Sequence, residues 1–236
     1  MKLPNAPVLR LLPSLLLCLL PTPSLGQNVV VDESAFRVIL GGEIVGREEF
    51  SIRRVGMGRD ARIIMRGSVE LDLPGGRKNL APALEASGED LSPAAYQLKV
   101  SGSQTSEFYV SRSGRRFLAK SLSSEGEQVR EFRAGPGSIL LDTFVAHQYH
   151  QLVPYLNQDS AVSLSVLSPQ SGEQMRMTLR KLGEEEVRVG TDLVQASHFR
   201  LEGENGSQDI WFDERNRILK VVIPGQDYTA ERESIG

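Results

Sequence analysis

The side chains best suited to chemistry are two of the three histidines, His147 and His150, in the stretch FVAHQYHQLVPYL at 144–156. H-x-x-H sets two imidazoles one helical turn apart, where they could share a metal ion. A metal site needs a third ligand converging on the same point, and a zinc-protease helix has a glutamate and i, i+4 spacing that this stretch lacks. His198 lies far along the chain on a predicted strand. The expectation is therefore no metal, with both histidines at the margin of an amphipathic helix. At about 100° per residue, Val145, Tyr149, Leu152 and Leu156 form one apolar stripe flanked by Val153. His147 points away from that stripe and His150 lies on its border. Asp142 is placed to cap the helix and Pro154 to end it near Val153, which predicts a helix near 142–153.

Other reactive patterns are weaker. Gly56-Met57-Gly58-Arg59-Asp60-Ala61 fits G-x-G-x-x-A, but the dinucleotide fingerprint needs a helix to follow, and the β-patterned Arg62–Met65 follows instead. It reads as a glycine turn. No serine sits in G-x-S-x-G, and no carboxylate pair stands out as a general acid and base. A hydrolase whose Ser, His and Asp come from distant positions stays open as one alternative. The residues assign no reaction and imply no cofactor. Asn205-Gly206-Ser207 matches the glycosylation pattern and reads as a turn between strands.

The N-terminal segment bears on where the chain works. Lys2 and Arg10 precede the apolar run Leu11–Leu20, and Ser24 and Gly26 are the small residues before a cut at Gln27. This is the layout of a secretory signal peptide over 1–26. Its apolar core is about ten residues, against roughly 20 needed to span a bilayer, and no later stretch is apolar for long enough. The expectation is an exported protein, periplasmic or secreted, without a transmembrane span after cleavage. Cys18, the only cysteine, lies in this segment behind Leu17, so disulfides and thiolate chemistry are excluded from 27–236. With Lys2 and Arg10 removed, the 27 basic side chains fall to 25 against 30 acidic ones, a net of −5. Charges of both signs are mixed and no basic stripe is present, which argues against nucleic acid.

Residues 27–236 read as a single β-rich domain, because apolar side chains recur with period two in runs closed by glycine or polar turns. A two-residue turn at Ser113-Gly114 predicts the pairs Val110–Phe117, Phe108–Ala119 and Glu107–Lys120. A three-residue loop, Glu214-Arg215-Asn216 with Asn216 left-handed, predicts Asp213–Arg217, Phe212–Ile218 and Trp211–Leu219. Tyr96, Leu98, Phe108 and Tyr109 match Phe199, Leu201, Trp211 and Phe212 at a constant offset, which is either an internal repeat or the likeness of one β-meander to another. Residues 72–94, rich in Pro, Gly and Ala, read as a long loop with one helical turn at Leu80–Leu84.

Four pieces carry a family resemblance: Phe36-x-Val38 with Gly42-x-x-Val45-Gly46; Leu91-x-Pro93-x-x-Tyr96-x-Leu98; Ile139-Leu140-Leu141-Asp142 running into His150-Gln151-Leu152; and Trp211-x-Asp213 with Arg217-Ile218-Leu219-Lys220. With them the chain resembles an uncharacterised family of exported bacterial all-β proteins. The resemblance implies a curved antiparallel sheet and carries over no catalytic residue. Periplasmic lipoprotein carriers, curved sheets that cover an apolar cavity with a helix, are similar in architecture only.

The resulting expectation is an all-β protein: one strongly curved antiparallel sheet or half-barrel of about ten to fourteen strands, with one amphipathic helix packed on it. Its concave face would bind an apolar or amphiphilic ligand such as a lipid, or a cell-envelope partner, through Phe108, Val145, Tyr149, Leu152 and Trp211. The competing function is an envelope scaffold that uses an edge strand or the 72–94 loop for a protein partner.

Overall fold

Period-two alternation does what it predicts: it gives strands with one buried face. The computed structural model describes residues 28–235; the proposed signal segment and Cys18 lie outside them. The strands are β1 Asn28–Leu40, β2 Glu43–Val55, β3 Arg62–Leu73, β4 Gly76–Ser87, β5 Ser92–Ser101, β6 Ser106–Ser113, β7 Arg116–Ser123, β8 Gly126–Arg133 and β9 Ser138–Leu140. After the helix come β10 Val162–Ser168, β11 Glu173–Val189, β12 Asp192–Gly203, β13 Gly206–Phe212, β14 Ile218–Ile223 and β15 Tyr228–Arg232. Among the described residues they form one sheet of fifteen strands, ordered β8-β7-β6-β5-β4-β3-β2-β1-β15-β14-β13-β12-β11-β10-β9, slightly more than expected. All neighbours are antiparallel except β9 and β10.

The chain thus folds as two meanders that meet at a β1–β15 seam. Arg232 of β15 fastens this seam. Its guanidinium holds Asp32 of β1 through two bonds of 2.9 and 2.6 Å and also donates to the carbonyls of Ile218 and Ser234. A buried bidentate pair with its remaining donors satisfied is the geometry in which such a pair can offset its desolvation.

The sheet curls until its two ends, β8 and β9, approach the middle of the opposite meander. Unpaired edges invite association with other chains, and here a glutamine carboxamide covers each. Gln151 accepts from the Leu140 N–H at 3.0 Å and donates to its carbonyl at 2.6 Å on β9. Gln174 does the same for Arg133 on β8, at 3.2 and 2.7 Å. Each side chain imitates one rung of a β-ladder.

Several sequence expectations need correction. Residues 72–94 are not a loop: β4 runs through them, burying Leu80, Pro82, Leu84 and Ala86 in strict alternation. Proline lacks the N–H of a central strand, and the β3–β4 ladder skips Gly67-Ser68 and Ala81-Pro82. The turn of the first hairpin is Gly114-Arg115, with Gly114 at φ 58°, so Val110 pairs with Ala119 and Phe108 with Ser121. That two-residue shift keeps every side chain on its expected face, and a glycine takes the positive φ that the tight turn requires. In the second hairpin Asn216 is left-handed at φ 58° and Phe212 pairs with Ile218 as expected, but Leu219 is bulged out and Trp211 pairs with Lys220. The suggested repeat fails on register. Leu98 pairs with Phe108, while Leu201, its counterpart, pairs with Gln208 rather than Trp211. The difference is odd, so Phe108 faces the interior and Trp211 the exterior.

The helix spans Ala146–Tyr155 and is 3₁₀ rather than α. It runs inside the curl, with seven residues from Ala146 to Leu152 buried on every side. Asp142 does not cap it; the N-cap position is Val145. Pro154 lies within its last turn instead of ending it. In a 3₁₀ helix residues three apart eclipse, so His147, His150 and Val153 form one row. The α-helical wheel assigned them to the wrong surroundings.

Candidate functional site

The row of histidines runs through the middle of the curl, and its two members differ completely. His147 is fully buried at the start of the helix. Glu48, on the inward face of β2 beside Phe50 and Ile52, approaches it across the sheet. Its carboxylate accepts the Ala146 N–H at 2.8 Å, the His147 N–H at 3.2 Å and His147 Nδ1 at 2.5 Å. Glu48 therefore caps the helix from another strand, supplying the acceptor that Asp142 does not. With Nδ1–H given to the carboxylate, Nε2 is a bare acceptor and has no partner. The ring stacks on Phe50, which stacks on Phe36 at 4.9 Å. Space for it comes from Gly67, where a Cβ would sit 2.7 Å from His147 Cε1. No substrate can reach this pair.

Asp142 lies near the same end of the helix, buried beside a smaller cleft of about 310 Å³. Its carboxylate accepts from Tyr96 Oη at 2.8 Å, Ser168 Oγ at 3.0 Å and the Gln170 N–H at 2.9 Å. Burial pushes it up to about 6 while these donors restrain it.

His150 stands at the other end. It is nearly buried, and its Nδ1 has no partner among the described residues. Burial lowers its pKa to about 4, with Asp32 pulling the other way, so the ring is neutral near pH 7. It lines a cleft of about 640 Å³ at the mouth of the curl. Successive hairpin turns fall at alternate ends of a meander, and three on the same end frame this mouth: those after β2, β4 and β13. The helix contributes Val153 and Pro154, and β1 contributes Val29 to Val31. The walls are apolar: Met57 is 67% exposed, Val30 50% and Val29 45%. Arg54 and Arg215 complete the lining with Glu89, and none of the three makes an ion pair among the described residues.

Among the residues expected at a binding face, Val145, Tyr149 and Leu152 come together on the helix and are packed shut. Tyr149 donates to Gln208 Oε1 at 2.8 Å. Phe108 faces inward but lies toward the sheet end, half-buried beside Phe132. Trp211 is on the outer surface. It stacks on His198 at 4.2 Å and donates to Glu185 at 2.6 Å, while His198 sits between Glu185 and Asp209 at 3.0 and 2.9 Å. The concave face is thus filled by the helix, and the opening lies at one end. Sequence reasoning missed Glu48, Asp32, Arg232 and the cleft residues. Glu48, Asp32 and Arg232 each carried a signal, since they share the parity of Phe50 and Ile52, of Phe36 and Val38, and of Tyr228 and Ala230. None of the three histidines is hydrogen-bonded to a serine hydroxyl among the described residues. No group of three or more His, Cys, Asp or Glu among them is arranged to hold a metal. No described helix is long and apolar enough to cross a membrane.

Comparison with other proteins agrees with this architecture. Residues 142–233, which take in the helix and β10 to β15, match the model of a Domain of unknown function (DUF6134). A beta-barrel-like protein of the domain of unknown function DUF1849 from Brucella abortus is similar in structure, with a TM-score of 0.51 at 7% identity over 89% of this chain and 96% of that one. A DUF1089 family protein from Pseudomonas aeruginosa gives a TM-score of 0.44 at 15% identity over 76% of this chain and 90% of that one. No curated protein matches. The Brucella likeness shows a shared barrel-like β fold, and the resemblance to an uncharacterised family holds.

Proposed function

We propose that this protein is an exported, non-catalytic binding protein that takes an apolar or amphiphilic ligand into the cleft at the C-terminal end of its helix. One observation carries the reading: exposed valines and Met57 surround a nearly buried imidazole that has no partner. Apolar walls with a few placed polar groups are the usual make-up of a small-molecule site. Neither ring nitrogen of His150 has a hydrogen-bond partner among the described residues, and a ligand in the cleft would supply one to Nε2, the nitrogen that is not sealed. Export rests on the signal-like 1–26 segment alone.

The test is equilibrium binding of the neutral fluorophore N-phenyl-1-naphthylamine to residues 27–236. Saturable binding is expected, and Met57→Asp, a change at an exposed turn, should weaken it about tenfold or more. Binding that does not saturate, or that Met57→Asp leaves unchanged, would remove the cleft from consideration.

A further inference from the structure

The lining of the cleft also indicates what kind of head a ligand should have. We infer that the cleft selects an anionic amphiphile: a single apolar chain against Val29, Val30 and Met57, with a carboxylate-like head between Arg54, Arg215 and His150. This rests on the binding reading above and goes further by fixing the sign of the head. The protein as a whole is acidic, with 30 carboxylates against 27 basic side chains. Against that negative balance the mouth carries two exposed guanidinium groups, Arg54 and Arg215, neither in an ion pair among the described residues. Glu89 offsets one of them, which leaves the lining positive.

The imidazole adds a donor. An orphaned buried N–H is rarer in proteins than an under-satisfied acceptor, so the sealed Nδ1 is the bare nitrogen. The proton of the neutral ring is then on Nε2, and His150 donates to whatever head enters. Guanidinium and imidazole N–H groups beside an apolar wall are complementary to a carboxylate at the end of a chain. A free anion lacks the chain, and a neutral or cationic amphiphile lacks the charge.

The experiment displaces bound N-phenyl-1-naphthylamine with dodecanoate, dodecanol and dodecylammonium, each below micelle formation, and with acetate. Dodecanoate should displace at about tenfold lower concentration than the other two, and acetate should not displace. Arg54→Gln with Arg215→Gln should bring dodecanoate level with dodecanol, both read against the fluorophore affinity of that variant. Equal displacement by dodecanoate and dodecanol would overturn the inference and leave a site that reads only the chain. Stronger displacement by dodecylammonium would overturn it in favour of Glu89, and displacement by acetate would show an anion site without chain selection. If the fluorophore itself does not bind, it is the underlying binding reading that falls.

Discussion

His147 and His150 share a residue type, a helix and one face of that helix, yet one is a structural post and the other a candidate for recognition. Distance from the mouth of the curl makes the difference. His147 has a carboxylate partner, an aromatic neighbour and a glycine cut to its shape. His150 has no hydrogen bond on either ring nitrogen among the described residues, and an apolar opening lies beside it. The carboxylate and the stacked ring hold His147 from within the protein, whereas a ring at the mouth can take its partner from a ligand.

The strongest way to break this comparison is to remove Glu48. Glu48→Ala strips the acceptor from three buried donors at once, and losing one partner of such a network costs roughly 3–5 kcal/mol. Urea denaturation should show that loss, with Glu48→Gln intermediate because it keeps one oxygen. A loss below about 1 kcal/mol would mean that His147 is not held as described.

His150 predicts a pH effect of somewhat smaller size. Its pKa falls from 6.5 to about 4 on folding, so between these values the unfolded chain binds the extra proton. Stability is then fully present above pH 6.5 and declines as pH falls toward 4, by up to about 3 kcal/mol at 1.36 kcal/mol per unit. Asp142 works in the opposite sense. Its pKa is raised from 3.8 to about 6, so its contribution is largest below pH 3.8 and declines as pH rises to 6. Thermal melts of His150→Asn should lose the acid-side decline, and those of Asp142→Asn should deepen it. A pH profile identical to the parent's in His150→Asn would show that this ring is not kept neutral by burial.

How much of this was legible beforehand follows from which forces are local. Period-two alternation is local, and with it the curved sheet, the left-handed Asn216 and the face of nearly every strand residue could be read. The helix could be placed but not typed, because the 3₁₀ form is sustained by contacts distant in sequence, such as those of Glu48 and Gln151. Reading it as α turned His147 toward solvent when it is sealed. Proline and alanine in β4 masked a strand that pairing on both sides imposes. The cleft was illegible for a further reason: Met57, Arg54, Leu91 and Arg215 lie on separate strands and turns that only the curl assembles.

The two sheet edges repeat the contrast between sealed and open polar groups. Gln151→Leu leaves the N–H and carbonyl of Leu140 unpaired in the interior, at about 2–3 kcal/mol for the two. Gln174→Leu frees the same groups of Arg133, but water can replace the carboxamide there, and less than about 1 kcal/mol should be lost. Hydrogen exchange of the two amides reads this directly. Leu140 should open only with a large loss of global stability, whereas Arg133 should exchange faster with little change in the rest of the protein. Equal losses in the two variants would indicate that β8 is as deeply covered as β9.

Trp211 gives the smallest effect and the sharpest test of where recognition occurs. The sequence offers it as a contact of the concave face, and a large aromatic side chain is a common binding anchor. Its place on the outer face, flat against His198 and tied to Glu185, puts the sheet between it and the helix. Trp211→Ala should therefore leave N-phenyl-1-naphthylamine affinity within about twofold of the parent, while Val153→Asp at the mouth should weaken it about as much as Met57→Asp. Loss of binding in Trp211→Ala with an unchanged melting temperature would move the site to the convex face, where Trp211, His198 and Lys220 lie together.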